Sequence, residues 1–291
     1  MKRATKQKAA GSERPALVGT QPRSRLPLLF ITSLPQGFRQ RHLFDQVERY
    51  CMFVGYPRSG HSLVGSLLDA HPDVVISHEL DSLRLMRFRF SRDQLYALIL
   101  ANERSFTASG RHWTNSDYHV PDQWHGSYRT LRVIGDKKGG QSTRRLRSNP
   151  ELLDRLRRKV GVPIRVVHVV RNPFDNIASM KLRRTASLEE VTDDYFGLCN
   201  VMAGIGQYFA RDESVTVRYE SLVDDAPSSL RHLCSFLEVE PEEGFIRAAA
   251  SAVRPEPSRS RDRLDWPPQL VAEIGRRIER YPHLEGYSFA D

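Results

Sequence analysis

The sequence predicts a three-layer α/β fold around a central parallel sheet. Short β-branched runs alternate with stretches of helical periodicity. One run, Ile164-Arg165-Val166-Val167-His168-Val169-Val170, is apolar and short enough to be a central strand covered on both faces. Glycine-bearing strand-to-helix junctions recur at the ends of such runs, as right-handed crossovers between parallel strands require. A length of 291 residues is enough for one full core with helical insertions and needs no second domain.

In chain order, residues 1–25 lack apolar periodicity and are rich in Lys, Arg, Gln, Ser and Pro. That composition predicts a basic, disordered tail ahead of a single domain over 26–291. Residues 1–50 carry ten Lys and Arg against three Asp and Glu, so most of the formal +9 charge lies there. The tail is either a solvated leader or a weak attractor of acidic polymers. A first strand is expected at Cys51-Met52-Phe53-Val54, then a loop, then a helix from Ser62 to Ala70 with Leu63, Leu67 and Leu68 on one face. A strand at Val74-Val75-Ile76 precedes helical patterns over 80–90 and 92–102. Residues 105–129 follow neither period. Their His112, Trp113, Tyr118, Trp124, His125 and Tyr128, set among Gly, Pro, Asn and Ser, suit a substrate-facing lid or a packed surface excursion. Strands follow at 131–134, 164–170 and 214–218. Helices are expected from Gly139-Gly140 through Arg158, from Pro173 to Met180, and over 188–210, 227–237 and 242–253, with a helical turn at 219–223.

No stretch approaches the ~20 apolar residues needed to span a bilayer, and 26–31 is too short for a signal-peptide core. Cys51, Cys199 and Cys234 are odd in number and widely spaced, which predicts reduced packing residues in a cytoplasmic setting, with no disulfide framework and no metal site. The Arg and Ala content points to a GC-rich bacterial source.

The loop after the first strand, Gly55-Tyr56-Pro57-Arg58-Ser59-Gly60-His61-Ser62, has the spacing G-x-x-x-x-G-K/T-S/T of a phosphate cradle. At a helix N-terminus unpaired N–H groups and the helix dipole converge on an anion, and glycine lets the backbone come close. His61 stands where nucleotide triphosphatases place lysine, so a donor carrying less charge than a triphosphate fits better, with Arg58 supplying a cation. The competing reading is a Ser/Gly-rich turn that only caps a helix. Further along, Arg171 at a strand end and Ser179 eight residues on, two turns into the next helix, could embrace a second, monoester-like phosphate. Alone, Arg171 could equally pair a carboxylate and Ser179 could be a small packing residue. Ligands of such sheets bind beyond the carboxyl ends of the strands, and the ends at Val54, Ile134 and Val170 carry these polar clusters toward one cleft.

Together these residues resemble the sulfotransferases that use 3′-phosphoadenosine-5′-phosphosulfate (PAPS). Their 5′-phosphosulfate loop, Y-P-K/R-S-G-T/S-T/S, is similar to Tyr56–Ser62, and their 3′-phosphate motif, R-x7-S after a V-x-x-V/L-R-N/D-P strand, is similar to 167–179. Tyr219-Glu220-Ser221-Leu222 is close to the Y-E-D/N-L turn after the family's last strand. The resemblance runs from Tyr50 to about Trp266 and implies the P-loop NTPase-like sulfotransferase fold. It also implies that Arg58, Ser59, Gly60, His61 and Ser62 hold the 5′-phosphosulfate, that Arg171 and Ser179 grip the 3′-phosphate, and that Tyr219 and Arg259 complete the donor site. His61 departs from the usual threonine: its backbone N–H is unaffected, and the side-chain hydroxyl contact is either lost or taken over by a ring nitrogen.

Sulfuryl transfer asks the protein to align nucleophile and leaving group, remove a proton and spread charge. The resemblance to tyrosylprotein sulfotransferases and bacterial relatives gives Glu79 as the base. Burial would then raise its pKa toward neutrality. The competing view makes Glu79 a cap for a helix at Leu80, with His78 as base. Lys137, in Gly135-Asp136-Lys137, is similar to a cation set over the bridging oxygen, and Arg58 shares the sulfuryl charge. The T-x-x-x-H-L-P setting of the cytosolic small-molecule enzymes is not found, which favours the glutamate branch. The aromatic and histidine residues of 105–129 suit a sugar or phenolic acceptor and the glutamate-branch resemblance a tyrosyl or glycan hydroxyl; no metal and no specific nucleic acid are expected. The alternatives are a P-loop kinase or hydrolase, with Asp136 holding Mg²⁺, and a non-catalytic binder of acidic polymers acting through the tail.

Overall fold

The computed structural model describes residues 22–114, 116–210 and 212–291; the tail expected over 1–25 lies outside them as far as residue 21. After a 3-10 turn at Arg23–Arg25 the elements run α1 (Leu26–Gln40), β1 (Arg49–Gly55), α2 (His61–Asp69), β2 (Val74–His78), α3 (Ser82–Leu85), α4 (Arg92–Ala108) and the short strands β3 (His112–Trp113) and β4 (Ser116–Asp117). There follow β5 (Val133–Lys137), α5 (Gly139–Ser148), α6 (Glu151–Val160), β6 (Ile164–Val170), α7 (Pro173–Lys181), α8 (Leu188–Gly206), β7 (Ser214–Arg218), α9 (Tyr219–Asp224), α10 (Ala226–Leu237), α11 (Glu243–Ser251) and α12 (Pro268–Ile278). The main sheet has five strands in the order β2-β5-β1-β6-β7, and every pairing in it is parallel.

Strand alternation sorts the sheet's side chains into two cores. Tyr50, Met52 and Val54 of β1, with Val166 and Val170 of β6, pack under α1, α4–α8 and α12; Cys51 and Phe53, with Val167 and Val169, pack under α2, α10 and α11. The three cysteines are buried and unpaired. Gly135 is required where β5 crosses β1, because a Cβ there would stand 2.2 Å from the Cys51 carbonyl oxygen.

The expected helix over 80–90 shrinks to the single turn of α3. Glu79 and Asp81 both take left-handed backbone (φ 64° and 68°), and the Asp136 carboxylate accepts from the N–H groups of Leu80 and Ser82. The chain is therefore bent back over the tip of β5. The helix expected through Arg158 breaks at Asn149-Pro150 into α5 and α6, since the residue before proline is driven out of helical backbone (Asn149 φ −157°, ψ 78°). The β5 strand lies later than its expected 131–134 and carries Lys137 as its last residue. Helices α1 and α12, which periodicity did not single out, cover the flank of the first core.

Candidate active site

The order β5-β1-β6 puts the three expected junctions side by side at the carboxyl edge of the sheet. They surround a cavity of about 550 Å³, within the ~300–1,000 Å³ usual for small-molecule sites. Eight Lys and Arg line it against two acids, Glu79 and Asp117, so the site favours a polyanion.

The loop after β1 is pinned from both sides. Thr143 of α5 bonds Gly55 at both its N–H and its carbonyl, and Asn176 of α7 donates to the Pro57 carbonyl at 2.7 Å. Arg58 (φ 72°) and Gly60 (φ 105°) turn the backbone into the N-terminus of α2. A Cβ on Gly60 would lie 2.7 Å from the Tyr219 ring, so Tyr219 packs on the loop as its wall.

His61 faces inward. Its Nε2 lies 2.8 Å from the Val54 carbonyl and its Nδ1 3.0 Å from Ser59 Oγ. Burial first, with Lys137 adding to it, lowers its pKa to about 4 and keeps it neutral. Both ring nitrogens are thus committed, and only the backbone N–H of His61 is left to serve an anion. Gly139 makes room for the ring, since a Cβ there would stand 2.6 Å from Nδ1.

The second pocket meets the first. Arg58 Nε donates to Ser179 Oγ at 3.2 Å and its Nη1 to Thr114 Oγ1 at 3.2 Å, so one guanidinium spans from the irregular segment to α7. Arg171 donates to the Arg58 carbonyl at 3.4 Å, to Ser260 Oγ at 3.3 Å and to the Ser258 carbonyl, and stacks 5.3 Å over the Tyr219 ring. Its Nε has no protein partner although it is buried. Such an orphaned donor fits an anion-binding role. Glu220 holds this junction by accepting from the Asn172 N–H and the Tyr287 hydroxyl, while Asn172 caps α7. Two expected residues do not line the cavity: Ser59, fully buried with its Oγ on the Tyr56 carbonyl and His61 Nδ1, and Arg259. The Arg259 side chain, 46% exposed, turns to Asp262 and the Asp291 carbonyl. Arg254 and Arg263 line it instead, two residues that sequence reasoning passed over.

The β2–β5 register pairs His78 with Lys137, and this brings Glu79 over the tip of β5. Lys137 Nζ stands 2.5 Å from Glu79 Oε1 and 2.9 Å from Ser62 Oγ; Lys138 Nζ is 2.5 Å from Glu79 Oε2. Burial would raise the Glu79 pKa, but the two ammonium groups outweigh it and hold the carboxyl well below its usual range. The expectation of a carboxyl raised toward neutrality is therefore corrected, because that reasoning counted burial and omitted both lysines. Burial in turn pulls Lys137 below the ordinary lysine value. His78 lies behind, its ring stacked 4.0 Å on Phe106, and it does not line the cavity. Asp136, the Mg²⁺ ligand of a kinase reading, spends its carboxylate on Leu80 and Ser82, and nothing supports that reading.

The irregular segment is divided between the cavity and the core beneath it. Trp113, Ser116, Asp117 and Tyr118 line the cavity. Beneath them, buried Arg111 pairs with Asp69 and Glu103 at 3.0 and 2.5 Å, and His125 meets Asp69 at 3.3 Å.

Residues 52–243 match a model of the sulfotransferase family. Among solved structures, the chain is similar to the sulfotransferase domain from the curacin biosynthetic pathway (16% identity over 81% of this chain and 98% of that one, TM-score 0.50). It is also similar to the sulfotransferase domain from the Synechococcus PCC 7002 olefin synthase (17%, 81% and 94%, TM-score 0.49). At such identities the first likeness is one of fold, and the second adds no argument. No curated protein sequence matches the chain. The matched span takes in well over half of the residues, including the junctions at Gly60 and Arg171 and the β2 and β5 tips, and the chain belongs to the sulfotransferase family.

Proposed function

We propose that the protein transfers the sulfuryl group of PAPS to a hydroxyl acceptor, a glycan, tyrosyl or phenolic group, in the cytoplasm of a bacterium. The observation that carries this is the bridge from Arg58 to Ser179: the loop at Gly60 and the Arg171 junction open into one cationic cavity, as a donor with phosphates at two positions needs. The N–H groups of Ser59 to Ser62 with Arg58 and the Ser62 hydroxyl would take the 5′-phosphosulfate, and Arg171 with Ser179 the 3′-phosphate. Tyr219 walls the donor site.

In the reaction the bond from sulfur to the 5′-phosphate oxygen breaks as one to the acceptor oxygen forms. The acceptor proton passes to Glu79, and the electron pair leaves on adenosine 3′,5′-bisphosphate, where Lys137 meets the new charge. Lys137 already bonds Ser62 Oγ, so a phosphosulfate there draws the ammonium toward itself and loosens its hold on Glu79. The carboxylate becomes more basic only when the donor is in place. Thermal melting tests the donor. Adenosine 3′,5′-bisphosphate without metal at a hundred times its Kd should stabilise the fold by about 2.7 kcal/mol, and Mg·ATP by less; the reverse order overturns the reading. Radiolabelled donor offered to glycans, phenols and tyrosyl peptides then identifies the acceptor class.

A further inference from the structure

Outside the cavity, the largest unexplained feature is the outer face of α1. Leu28, Ile31, Leu34 and Phe38 are 61, 63, 46 and 67% exposed, four of the nine large apolar side chains exposed among the described residues. They recur at three- and four-residue spacing along one side of the helix. The other side is firmly seated. Gln94 of α4 donates to the Phe30 carbonyl and to Ser33 Oγ, and Gly37 admits the backbone of α4 so closely that a Cβ would stand 2.9 Å from Gln94 N. The apolar stripe therefore faces out because the helix cannot roll.

Its surroundings are cationic. No Asp or Glu occurs from residue 14 to residue 44, a stretch that carries Arg14, Arg23, Arg25, Arg39 and Arg41, and Lys2, Arg3, Lys6 and Lys8 precede it. Arg41 stands 4.7 Å over the Phe38 ring. Phe30 stacks edge-on against Phe90, and Phe90 against Phe88, which is exposed between Arg87 and Arg89. A fixed apolar stripe on a segment rich in Arg and without Asp or Glu, with the nearby Asp93 of α4 paired to Arg92, complements a surface that is apolar beneath an anionic layer. At 15 residues α1 is ~22 Å long, short of a ~30 Å bilayer core, and no helix among the described residues is long and apolar enough to cross a membrane.

We propose that α1 docks the protein on an anionic lipid bilayer, lying in its interface with Leu28, Ile31, Leu34 and Phe38 inserted and Arg25, Arg39 and Arg41 beside the headgroups. Docking of this kind would confine the enzyme to the membrane surface without spanning it.

The test is co-sedimentation of the full chain with vesicles of phosphatidylcholine alone or mixed with phosphatidylglycerol. Binding is expected only to the mixed vesicles. The Ile31→Ser/Phe38→Ser variant should bind ~100-fold more weakly with an unchanged melting temperature, since each side chain contributes about tenfold or more when buried. Replacing Arg25, Arg39 and Arg41 by Gln should weaken binding further and reduce its salt dependence. Binding insensitive to the stripe variant would overturn the proposal, as electrostatics alone would then account for it. Failure to bind either vesicle would also overturn it. So would a dimer dissolved by the same two substitutions, which would assign the stripe to a second copy of the chain.

Discussion

Glu79→Gln separates proton transfer from charge holding. In the resting site the carboxylate lies 2.5 Å from both lysine ammonium groups, and Lys137 is only 2% exposed. A general base contributes roughly 10²–10⁴-fold, about 2.7–5.4 kcal/mol at 1.36 kcal/mol per tenfold. The amide cannot accept the acceptor's proton, so kcat should fall by that factor at saturating donor. Affinity for adenosine 3′,5′-bisphosphate should hold or improve, because one of the two acids lining the cavity loses its charge and Lys137 is freer to turn to the ligand. Stability should drop. Breaking a buried pair costs about 3–5 kcal/mol, but the amide oxygen and Ser62 Oγ still accept from Lys137, so about 2–3 kcal/mol is expected. Steady-state turnover, calorimetric titration with the bisphosphate and chemical denaturation measure the three effects separately. Turnover within fivefold of the parent at unchanged affinity would refute the base assignment. A parallel loss of turnover and affinity would mean instead that the carboxylate serves to place the lysines.

Arg171→Ala should weaken adenosine 3′,5′-bisphosphate by roughly 10–100-fold, the value of one charge-assisted phosphate contact, and leave adenosine 5′-phosphosulfate, which lacks the 3′-phosphate, nearly unaffected; equal losses in titrations of both would remove its 3′-phosphate role. Arg259→Ala should change bisphosphate affinity by less than about twofold because its side chain faces Asp262, whereas Arg263→Ala, in the cavity lining, should cost about tenfold; the opposite ranking would mean that the loop rearranges around the ligand. The Arg111 cluster sets a pH dependence. Burial raises Asp69 to about 6 and Glu103 to about 8, above their ordinary values of 3.8 and 4.5, so the folded chain holds the extra protons, and the stability contributed is full below the unfolded values and is lost as pH rises through about 4–6 for Asp69 and about 4.5–8 for Glu103. Denaturation midpoints of the parent relative to Glu103→Gln should fall across the Glu103 interval, and a difference that is flat or rising with pH would refute the assignment.

Much of the site could be read from the chain because phosphate cradles are local. Gly60 at a helix start, Arg171 before Asn172-Pro173 and Ser179 two turns later are fixed by spacing within one strand–loop–helix unit, and the structure brings these units together. The β-branched runs at 164–170 and 214–218 gave their strands to the residue; the first is buried on both faces, whereas in the second only Val217 is buried and β-branched backbone preference carries the strand. The neighbourhood of Glu79 could not be read in this way. Its lysines are 58 and 59 positions away, and only the β2–β5 register and the left-handed turn at Glu79 bring them to its carboxylate.

The same contrast holds throughout the molecule. The sequence by itself determined the alternation of strands and helices and the positions of the glycine-bearing loops at the strand ends, because these follow from backbone stereochemistry and nearest neighbours. Tertiary structure alone decided which arginines enter the cavity, that His61 turns its ring into the core, that Arg111 ties the irregular segment to two buried acids, and that one face of α1 is left uncovered. Each of these depends on the direction of a side chain relative to a partner distant in sequence, and that direction is set only when the layers pack.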